Sequence, residues 1–398
     1  MSEGLIERRQ TRAVRVGEVF IGGDSPILVQ TMANEKTYDV PKVVSQIVNL
    51  KRAGAELVRV TVETMRDAKA LPGIRQGLND LGVGVPLSAD IHHRGTGLAL
   101  EAVKWVDKVR VNPGLLAFGD GRTETKDEYT PLEIEQRHEE NKKALEPIIK
   151  SCKERGVAMR IGVNHGSLSN MMMVRFGDTP LGMVESALEY IKLCEELDFK
   201  DIIVSLKASR VSVMQGANRL MVKRMDQESM DYPLHLGLTE AGNGQEGRVK
   251  SVAALGPLLQ EGIGDTIRVS LTENPINELS VCFDLLQALG IRKEKAEIIG
   301  CPSCGRTKIN LEPHLNELKK RAAHLKDLTL SGMGCVVNGP GESADSDYGF
   351  IGLGEGKVAI TRGAEQVLAG VNEDQAVESI IELIKADGRW VDPPKDVV

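Results

Sequence analysis

Three cysteines near the end of the chain have types and spacing suited to a metal centre. Cys301 and Cys304 form a C-x-x-C pair, and Cys335 follows in a separate glycine-rich segment. Such a pair lets two thiolates bind one metal centre, but zinc normally takes a second pair or two histidines. A thioredoxin-like dithiol would not need Cys335. Three cysteines with one non-cysteine ligand therefore favour a [4Fe–4S] cluster.

The other three cysteines lie in a different setting. Cys152, Cys194 and Cys282 each sit inside a helical apolar pattern. Structural disulfides are rare in a reducing compartment. We predict that these thiols are buried and act as small hydrophobic groups.

A second set of candidate residues lies where short β-branched runs end. Side chains alternate along a strand, so residues two apart share a face. The polar residues that follow this rule are Arg59 and Thr61, Asp90 and His92, Arg110 and Asn112, Arg160 and Asn164, Lys207 and Ser209, Glu240, and Arg268 and Ser270.

Five of these residues are cations placed at equivalent points of a repeat: Arg59, Arg110, Arg160, Lys207 and Arg268. Each one by itself could be explained as a surface salt bridge. Buried charges, however, need partners, and the nearby carboxylates Glu63, Asp90 and Glu240 are too few to neutralise all five. Arginine forks suit phosphate oxygens. The pattern therefore favours a phosphorylated ligand over a purely structural network.

The elements that must position these side chains alternate between strand and helix. The predicted strands are Ile27–Thr31, Leu57–Val62, Pro86–His92, Lys108–Asn112, Ala158–Asn164, Asp201–Lys207, Leu234–Glu240 and Thr266–Leu271. Amphipathic helical stretches separate them. Eight such units are typical of a (β/α)8 TIM barrel, whose active site forms at the carboxyl ends of the strands. An open doubly wound sheet is the alternative, but no G-x-G-x-x-G motif follows the first strand.

The pattern changes after residue 290. A helix from about Glu312 to His324, alternating strands and a helix at Asp374–Lys385 predict a smaller α/β domain. We therefore expect a barrel that binds a phosphorylated ligand over residues 1–290 and a cluster domain over residues 291–398; the resemblance described below implies that this ligand is a diphosphate.

Composition excludes several classes of protein. The chain has 398 residues and a formal net charge of −7, which argues against nucleic acid as a partner. The first ten residues lack the apolar segment of a secretory signal, and no stretch has the roughly 18–20 apolar residues that span a bilayer. We expect a cytoplasmic protein without a membrane partner.

Two segments carry a resemblance to a known family. Cys301-Pro302-Ser303-Cys304-Gly305-Arg306 and the run Gly334–Glu342 resemble 4-hydroxy-3-methylbut-2-enyl diphosphate synthases of the methylerythritol phosphate route to isoprenoids. The barrel segments Lys108–Gly114, Met159–Leu168 and Gly237–Gly242 are also similar. The resemblance implies that three cysteines and a glutamate hold the cluster, namely Cys301, Cys304, Cys335 and Glu342. By its position alone, Glu342 could instead be a helix N-terminal carboxylate.

The resemblance also implies an activity. It is the reductive ring opening of 2-C-methyl-D-erythritol 2,4-cyclodiphosphate to (E)-4-hydroxy-3-methylbut-2-enyl diphosphate, with loss of water. Ferredoxin or flavodoxin would supply the electrons, and the likeness to members from photosynthetic organisms favours ferredoxin. Glu240 is our candidate proton donor, because apolar neighbours at the end of its strand could raise its pKa. Asn164 would orient the substrate, and Phe118–Tyr129 is a candidate lid.

Two other functions fit the same residues. One is a non-redox barrel enzyme that acts on a phosphorylated or pterin-like ligand and carries a structural zinc. The other is a cluster protein that only senses redox state. Iron or zinc content separates the first of these from the synthase, and turnover of the cyclic diphosphate excludes the sensor.

The linker predicts the oligomeric state. Barrel helices run antiparallel to their strands, so the helix after strand eight ends opposite the substrate face. Only Gly290–Gly300 is available for the return, and such a segment spans at most about 36 Å when fully extended. We therefore expect a homodimer in which the barrel of one chain works with the cluster of the other, as the resemblance also implies.

Overall fold

The computed structural model describes residues 6–91, 95–117 and 126–393. The chain divides into two compact units, one through Ile291 and one from Arg292 onward. Within the described ranges, no helix has both the length and the apolar character needed to cross a bilayer.

A short antiparallel hairpin, β1 (Val14–Val16) and β2 (Val19–Ile21), precedes eight parallel strands. These strands are β3 (Leu28–Met32), β4 (Leu57–Thr61), β5 (Leu87–Asp90), β6 (Lys108–Val111), β7 (Ala158–Asn164), β8 (Ile202–Lys207), β9 (His235–Leu236) and β10 (Thr266–Ile267). Their order is β8-β7-β6-β5-β4-β3-β10-β9, and a parallel bridge between Val204 and Leu234 joins the two edges. The predicted TIM barrel is confirmed, although β9 and β10 are shorter than the sequence suggested.

Nine helices are described in this unit: α1 (Val40–Arg52), α2 (Met65–Asp80), α3 (Thr96–Ala102), α4 (Pro131–Arg155), α5 (Asn170–Phe176), α6 (Pro180–Glu196), α7 (Val211–Gln227), α8 (Gly244–Gln260) and α9 (Pro275–Ala288). Local signals set their ends. Thr130 and Glu133 form a capping box at the start of α4, and Gly156 ends it in the left-handed conformation with φ of 64°.

Side chains of the barrel strands alternate between an apolar outer face and a largely polar inner face. Outer residues such as Val58, Val109 and Ile161 are buried in the layer between strands and helices. Four apolar inner residues near the amino ends, Leu28, Leu57, Ala158 and Ile203, pack on Val14, Val16 and Ile21 of the hairpin. The hairpin thus closes the floor, which leaves the opposite, carboxyl end as the mouth.

The second unit is a five-stranded sheet with three helices. Its strands are β11 (Glu297–Gly300), β12 (Thr329–Met333), β13 (Tyr348–Gly354), β14 (Lys357–Arg362) and β15 (Glu365–Asn372), and its helices are α10 (Leu311–Ala322), α11 (Gly339–Ser343) and α12 (Ala376–Ala386). Strands β11, β12 and β13 are parallel, and the other two pairings are antiparallel. A separate apolar core lies between this sheet and its helices. The predicted small α/β domain is confirmed.

Candidate functional site

The barrel brings the five predicted cations together on its inner face. Arg59, Arg110, Arg160 and Lys207 are buried, and the side chain of Arg268 is 12% exposed. We call these five residues the cation ring. Arg59 and Arg160 are the third residues of β4 and β7, Arg110 and Lys207 lie in the carboxyl halves of β6 and β8, and Arg268 directly follows β10.

Two carboxylates pair with members of the ring. Asp90 Oδ1 lies 3.0 Å from Arg110 Nη1, and Asp90 Oδ2 lies 3.8 Å from Arg59 Nη2. Glu278 Oε1 lies 3.2 Å from Arg268 Nη2. Sequence reasoning missed Glu278, which also accepts hydrogen bonds from Thr31 Oγ1 and the backbone N–H of Leu271. Its position on the buried face of α9 was the available signal, because a lone carboxylate there needs a partner.

The ring has more positive charge than these two carboxylates balance. Burial lowers the pKa of Arg59 to about 10. The pKa values of Arg160 and Lys207 fall well below their ordinary ranges, first because of burial and then because neighbouring cations repel them. Arginine stays charged even so. An anionic ligand would relieve both the burial and the repulsion.

Two glycines provide the space in which the cations lie. A Cβ atom at Gly162 would collide with Arg110 Nε, and one at Gly237 would lie 2.7 Å from Lys207 Nζ. The guanidinium of Arg110 also donates to the carbonyl oxygen of Gly162 at 2.7 Å. These positions on the inner face of β7 and just after β9 therefore accept only glycine without displacing a ring member.

A cavity of about 420 Å³ opens beside the ring at the ends of β3, β4 and β10. Its walls include Met32, Glu63, Arg66, Arg268 and Glu278. This volume lies within the range of roughly 300–1,000 Å³ usual for small-ligand sites. A small phosphorylated compound therefore has room at the mouth.

The remaining predicted barrel residues lie at or above the strand ends. Asn112 is buried, and its side-chain amide donates to Ser167 Oγ, in the segment that follows β7, at 3.0 Å. Asn164, Ser209 and Ser270 are half-buried. His92 and residues 118–125 of the candidate lid lie outside the described residues.

Glu240 differs from expectation. We predicted that it ends a strand among apolar neighbours, but β9 stops at Leu236 and Glu240 is exposed. The prediction that Glu240 ends a strand is therefore wrong. Its backbone adopts φ of 57°, a left-handed conformation that costs a non-glycine residue roughly 1–2 kcal/mol. Strain of this kind often accompanies a functional loop.

The second unit places the three candidate ligand cysteines at one edge of its sheet. Cys301 follows β11 and Cys335 follows β12, and these parallel strands pair Gly300 with Gly332. Cys304 is exposed in the loop after Cys301, while Glu342 is exposed on the short helix α11. The carboxyl ends of the two strands therefore bring both cysteine loops to the same side.

The surroundings of these loops suit thiolate ligands. The backbone N–H of Gly334 donates to Cys301 Sγ at 3.1 Å. Backbone N–H groups of Val337 and Asn338, helped by Arg306, hold the pKa of Cys335 below its usual value. Among the residues that the structure describes, no three side chains converge tightly enough to form a finished metal site. Soft thiolates beside backbone donors nevertheless fit an iron–sulfur centre in their chemistry.

The other cysteines behave as predicted. Cys152, Cys194 and Cys282 are buried, and burial raises the pKa of Cys152 and Cys282 to about 12. The pKa of Cys194 is also raised by burial. Thiols of this kind are unreactive and contribute to packing.

Two family models together match most of the chain. Residues 11–283 match the GcpE TIM-barrel domain family, and residues 297–386 match the GcpE protein C-terminal domain family. A solved dihydropteroate synthase from Stenotrophomonas maltophilia is only distantly similar, with 14% identity and a TM-score of 0.47 over 70% of this chain and 98% of its own. No functional argument follows from a likeness at that level.

The curated relatives are far more similar. The 4-hydroxy-3-methylbut-2-en-1-yl diphosphate synthase (ferredoxin) of Crocosphaera subtropica is 56% identical over 98% of this chain and 96% of its own length. The protein of the same description from Gloeothece citriformis is 55% identical over 98% of this chain and 95% of its own. Both domains, in the same order, are thus shared over nearly the full length. The chain belongs to the 4-hydroxy-3-methylbut-2-en-1-yl diphosphate synthase family.

Proposed function

We propose that the protein reductively opens the ring of 2-C-methyl-D-erythritol 2,4-cyclodiphosphate. The product is (E)-4-hydroxy-3-methylbut-2-enyl diphosphate, and water is lost. The observation that carries this proposal is the cation ring, which combines five buried or nearly buried cations with two paired carboxylates, Asp90 and Glu278, in the part of the chain that the structure describes. A cyclic diphosphate supplies the missing negative charge at the barrel mouth.

The barrel residues bind and orient the substrate. Arg59, Arg110, Arg160, Lys207 and Arg268 hold the diphosphate, with Asp90, His92, Asn112, Ser209 and Ser270 completing the site. Asn164 orients a substrate hydroxyl or phosphate oxygen at the end of β7. Glu240, which is exposed in the loop after β9, donates the proton to the departing hydroxyl.

The second unit holds the redox centre. Cys301, Cys304, Cys335 and Glu342 bind a [4Fe–4S] cluster, which supplies two electrons one at a time when it is bound. The Glu342 carboxylate is a harder ligand than the thiolates and is held less tightly by a soft centre. Glu342 would therefore be the most weakly held of the four ligands.

Reduced ferredoxin is the proposed electron donor, since the relatives carry ferredoxin in their names. A barrel site without a redox group and a cluster domain without a phosphate site are each incomplete. The short segment after α9 supports a homodimer in which the two come from different chains.

The first test is the metal content and activity of anaerobically purified protein. We expect about four irons per chain and turnover of the cyclic diphosphate with reduced ferredoxin. One zinc per chain with no redox turnover would instead favour the non-redox barrel enzyme. Four irons without turnover would favour the redox sensor.

Subunit mixing tests the shared site. Glu240→Ala and Cys301→Ser proteins are each expected to be inactive. After subunit exchange, a heterodimer with sites formed between chains regains one intact site, and activity returns. If activity stays at zero while labelled subunits are seen to exchange, the cluster serves its own barrel.

A further inference from the structure

A layer of polar side chains lies deeper in the barrel than the mouth. Its members are Gln30, Ser88, Lys108, His235 and Thr266, each on a different strand and each at most 1% exposed. Lys108 on β6 reaches across the interior to Gln30 on β3, with Nζ 2.8 Å from Oε1. We call these five residues the inner layer. Except for Lys108, its members lie outside the segments that carry the family resemblance.

Arg160 connects the inner layer with the cation ring. Across the pairing of β6 with β7 it lies two residues beyond Lys108, since Lys108 pairs with Ala158, and its charge adds to the effect of burial in lowering the pKa of Lys108 and of His235. Burial is the larger cause in both cases. Among the described residues, neither Lys108 nor Arg160 forms an ion pair with a carboxylate. The layer thus has buried positive charge with no internal counter-charge.

Several buried N–H groups in and beside the layer have no hydrogen-bond acceptor. Arg160 Nε and Nη1 and Gln30 Nε2 are buried, with no hydrogen-bond partner in the described structure. These atoms carry one, two and two N–H bonds respectively, and none of them can accept. The other unpartnered atoms of the layer are Ser88 Oγ and His235 Nε2, which can accept at most three hydrogen bonds together. Donors therefore outnumber acceptors, although buried polar groups are normally satisfied.

Ordered water does not correct such an excess. A water molecule brings two donors of its own with its two acceptor sites, so the surplus of N–H groups remains. A neutral Lys108 would add one acceptor, which is too few for the N–H groups of Arg160 and Gln30 together. An anion accepts from every side and also balances the charge of Lys108 and Arg160.

We propose that the inner layer is a second anion site, which binds a small monovalent inorganic anion such as chloride below the diphosphate. The anion is held by Lys108 Nζ, Gln30 Nε2 and the Nε–Nη1 edge of Arg160. It stays in place when the mouth is empty, since its partners are buried in the barrel itself. The site does not depend on the reaction that the enzyme catalyses.

Bromide diffraction tests the proposal directly. Crystals of the full-length holoprotein are soaked in sodium bromide, with and without inorganic pyrophosphate. We expect an anomalous bromide peak between Lys108 and Arg160 in both crystals. Electron density in the inner layer without an anomalous signal would show that a water molecule lies there, and this would overturn the proposal. A pyrophosphate phosphorus in the layer also overturns it, because the diphosphate site would then extend to this depth.

Thermal unfolding provides a solution test. At constant ionic strength, replacement of gluconate by chloride should raise the Tm of the unaltered protein in a saturable manner. Lys108→Met should lose this chloride-specific shift, whereas Lys153→Met, which changes an exposed lysine, should keep it. An equal shift in both variants, or none in the unaltered protein, contradicts the proposal. If Lys108→Met does not fold, the bromide map of the unaltered protein still decides.

Discussion

Arg110 shows how a residue of the cation ring is held in place. Asp90 accepts one of its N–H groups at 3.0 Å, and the carbonyl oxygen of Gly162 accepts another at 2.7 Å. Both partners use part of the guanidinium fork. Lysine would preserve the charge at this position, but it cannot bind two oxygen atoms in a planar, bidentate manner.

We therefore expect Arg110→Lys to weaken substrate binding. Loss of one charge-assisted hydrogen bond costs about 1.5–3 kcal/mol, or roughly 10–150-fold in affinity. Arg268→Lys should behave similarly, because its guanidinium is held by Glu278. Arg219→Lys is the matched control, since that arginine pairs with Glu261 on the surface. Titration calorimetry with the cyclic diphosphate measures the difference, and unchanged affinity in both ring variants would make the ring structural.

Glu240→Gln separates proton transfer from binding. The amide keeps the size of the side chain but cannot donate a carboxyl proton. We expect affinity close to that of the unaltered enzyme and a kcat lower by roughly 10²–10⁴-fold. Steady-state and binding measurements together decide the role. Weak binding with little further loss of kcat would make Glu240 an orienting residue.

At the scale of elements, strand pairing brings distant residues to one point. Parallel pairing aligns Asp90 with Arg110 and Arg110 with Arg160 on three neighbouring strands. Close approach inside the barrel then requires gaps, which Gly162 and Gly237 provide. The absence of a side chain on one strand thus determines where a cation on another strand can lie.

Gly162→Ala tests this arrangement. The added methyl group collides with Arg110 Nε and should displace the guanidinium. We expect KM to rise by an amount similar to that of Arg110→Lys, with the barrel still folded. Gly256→Ala is the control, because a Cβ there lies 3.8 Å from Leu285 Cδ1, an ordinary contact in helix α8. Equal kinetics for the two variants would show that the ring tolerates the methyl group.

At the scale of the whole molecule, each of the two units has a large apolar core of its own. One fills the barrel unit, and the other lies around the five-stranded sheet from Leu311 and Leu318 to Ile384. Each unit therefore has the burial that it needs for its own stability. Substitution of Cys301, Cys304 or Cys335 should therefore leave the barrel folded.

We expect Cys301→Ser, Cys304→Ser and Cys335→Ser each to abolish turnover and lower the iron content. Binding of the cyclic diphosphate and the circular dichroism of the barrel should persist. Cys152→Ser is the control, because that buried thiol serves packing and should leave the iron content unchanged. Full activity in any of the three ligand variants would contradict the cluster assignment. Glu342→Ala is expected to keep a cluster that lacks one iron.

Much of the site could be predicted from single strands. Arg59, Arg110, Arg160, Lys207 and Arg268 were found because alternation along a strand, and the carboxyl-end rule for barrels, depend only on local order. The C-x-x-C motif with Cys335 is equally local. These features determined the barrel, the small α/β domain and the demand for an anionic ligand.

The tertiary structure alone decided which groups surround the cations. Glu278 binds Arg268 from a helix, Lys108 binds Gln30 across the barrel, and Gly162 makes room for Arg110. Each of these contacts joins residues on different elements, whose distance depends on strand order, register and barrel closure. The exposure of Glu240 has the same origin, because β9 ends where its pairing with β10 ends, at Leu236. Sequence periodicity determines which face a side chain takes, but only the closed barrel determines what stands opposite it.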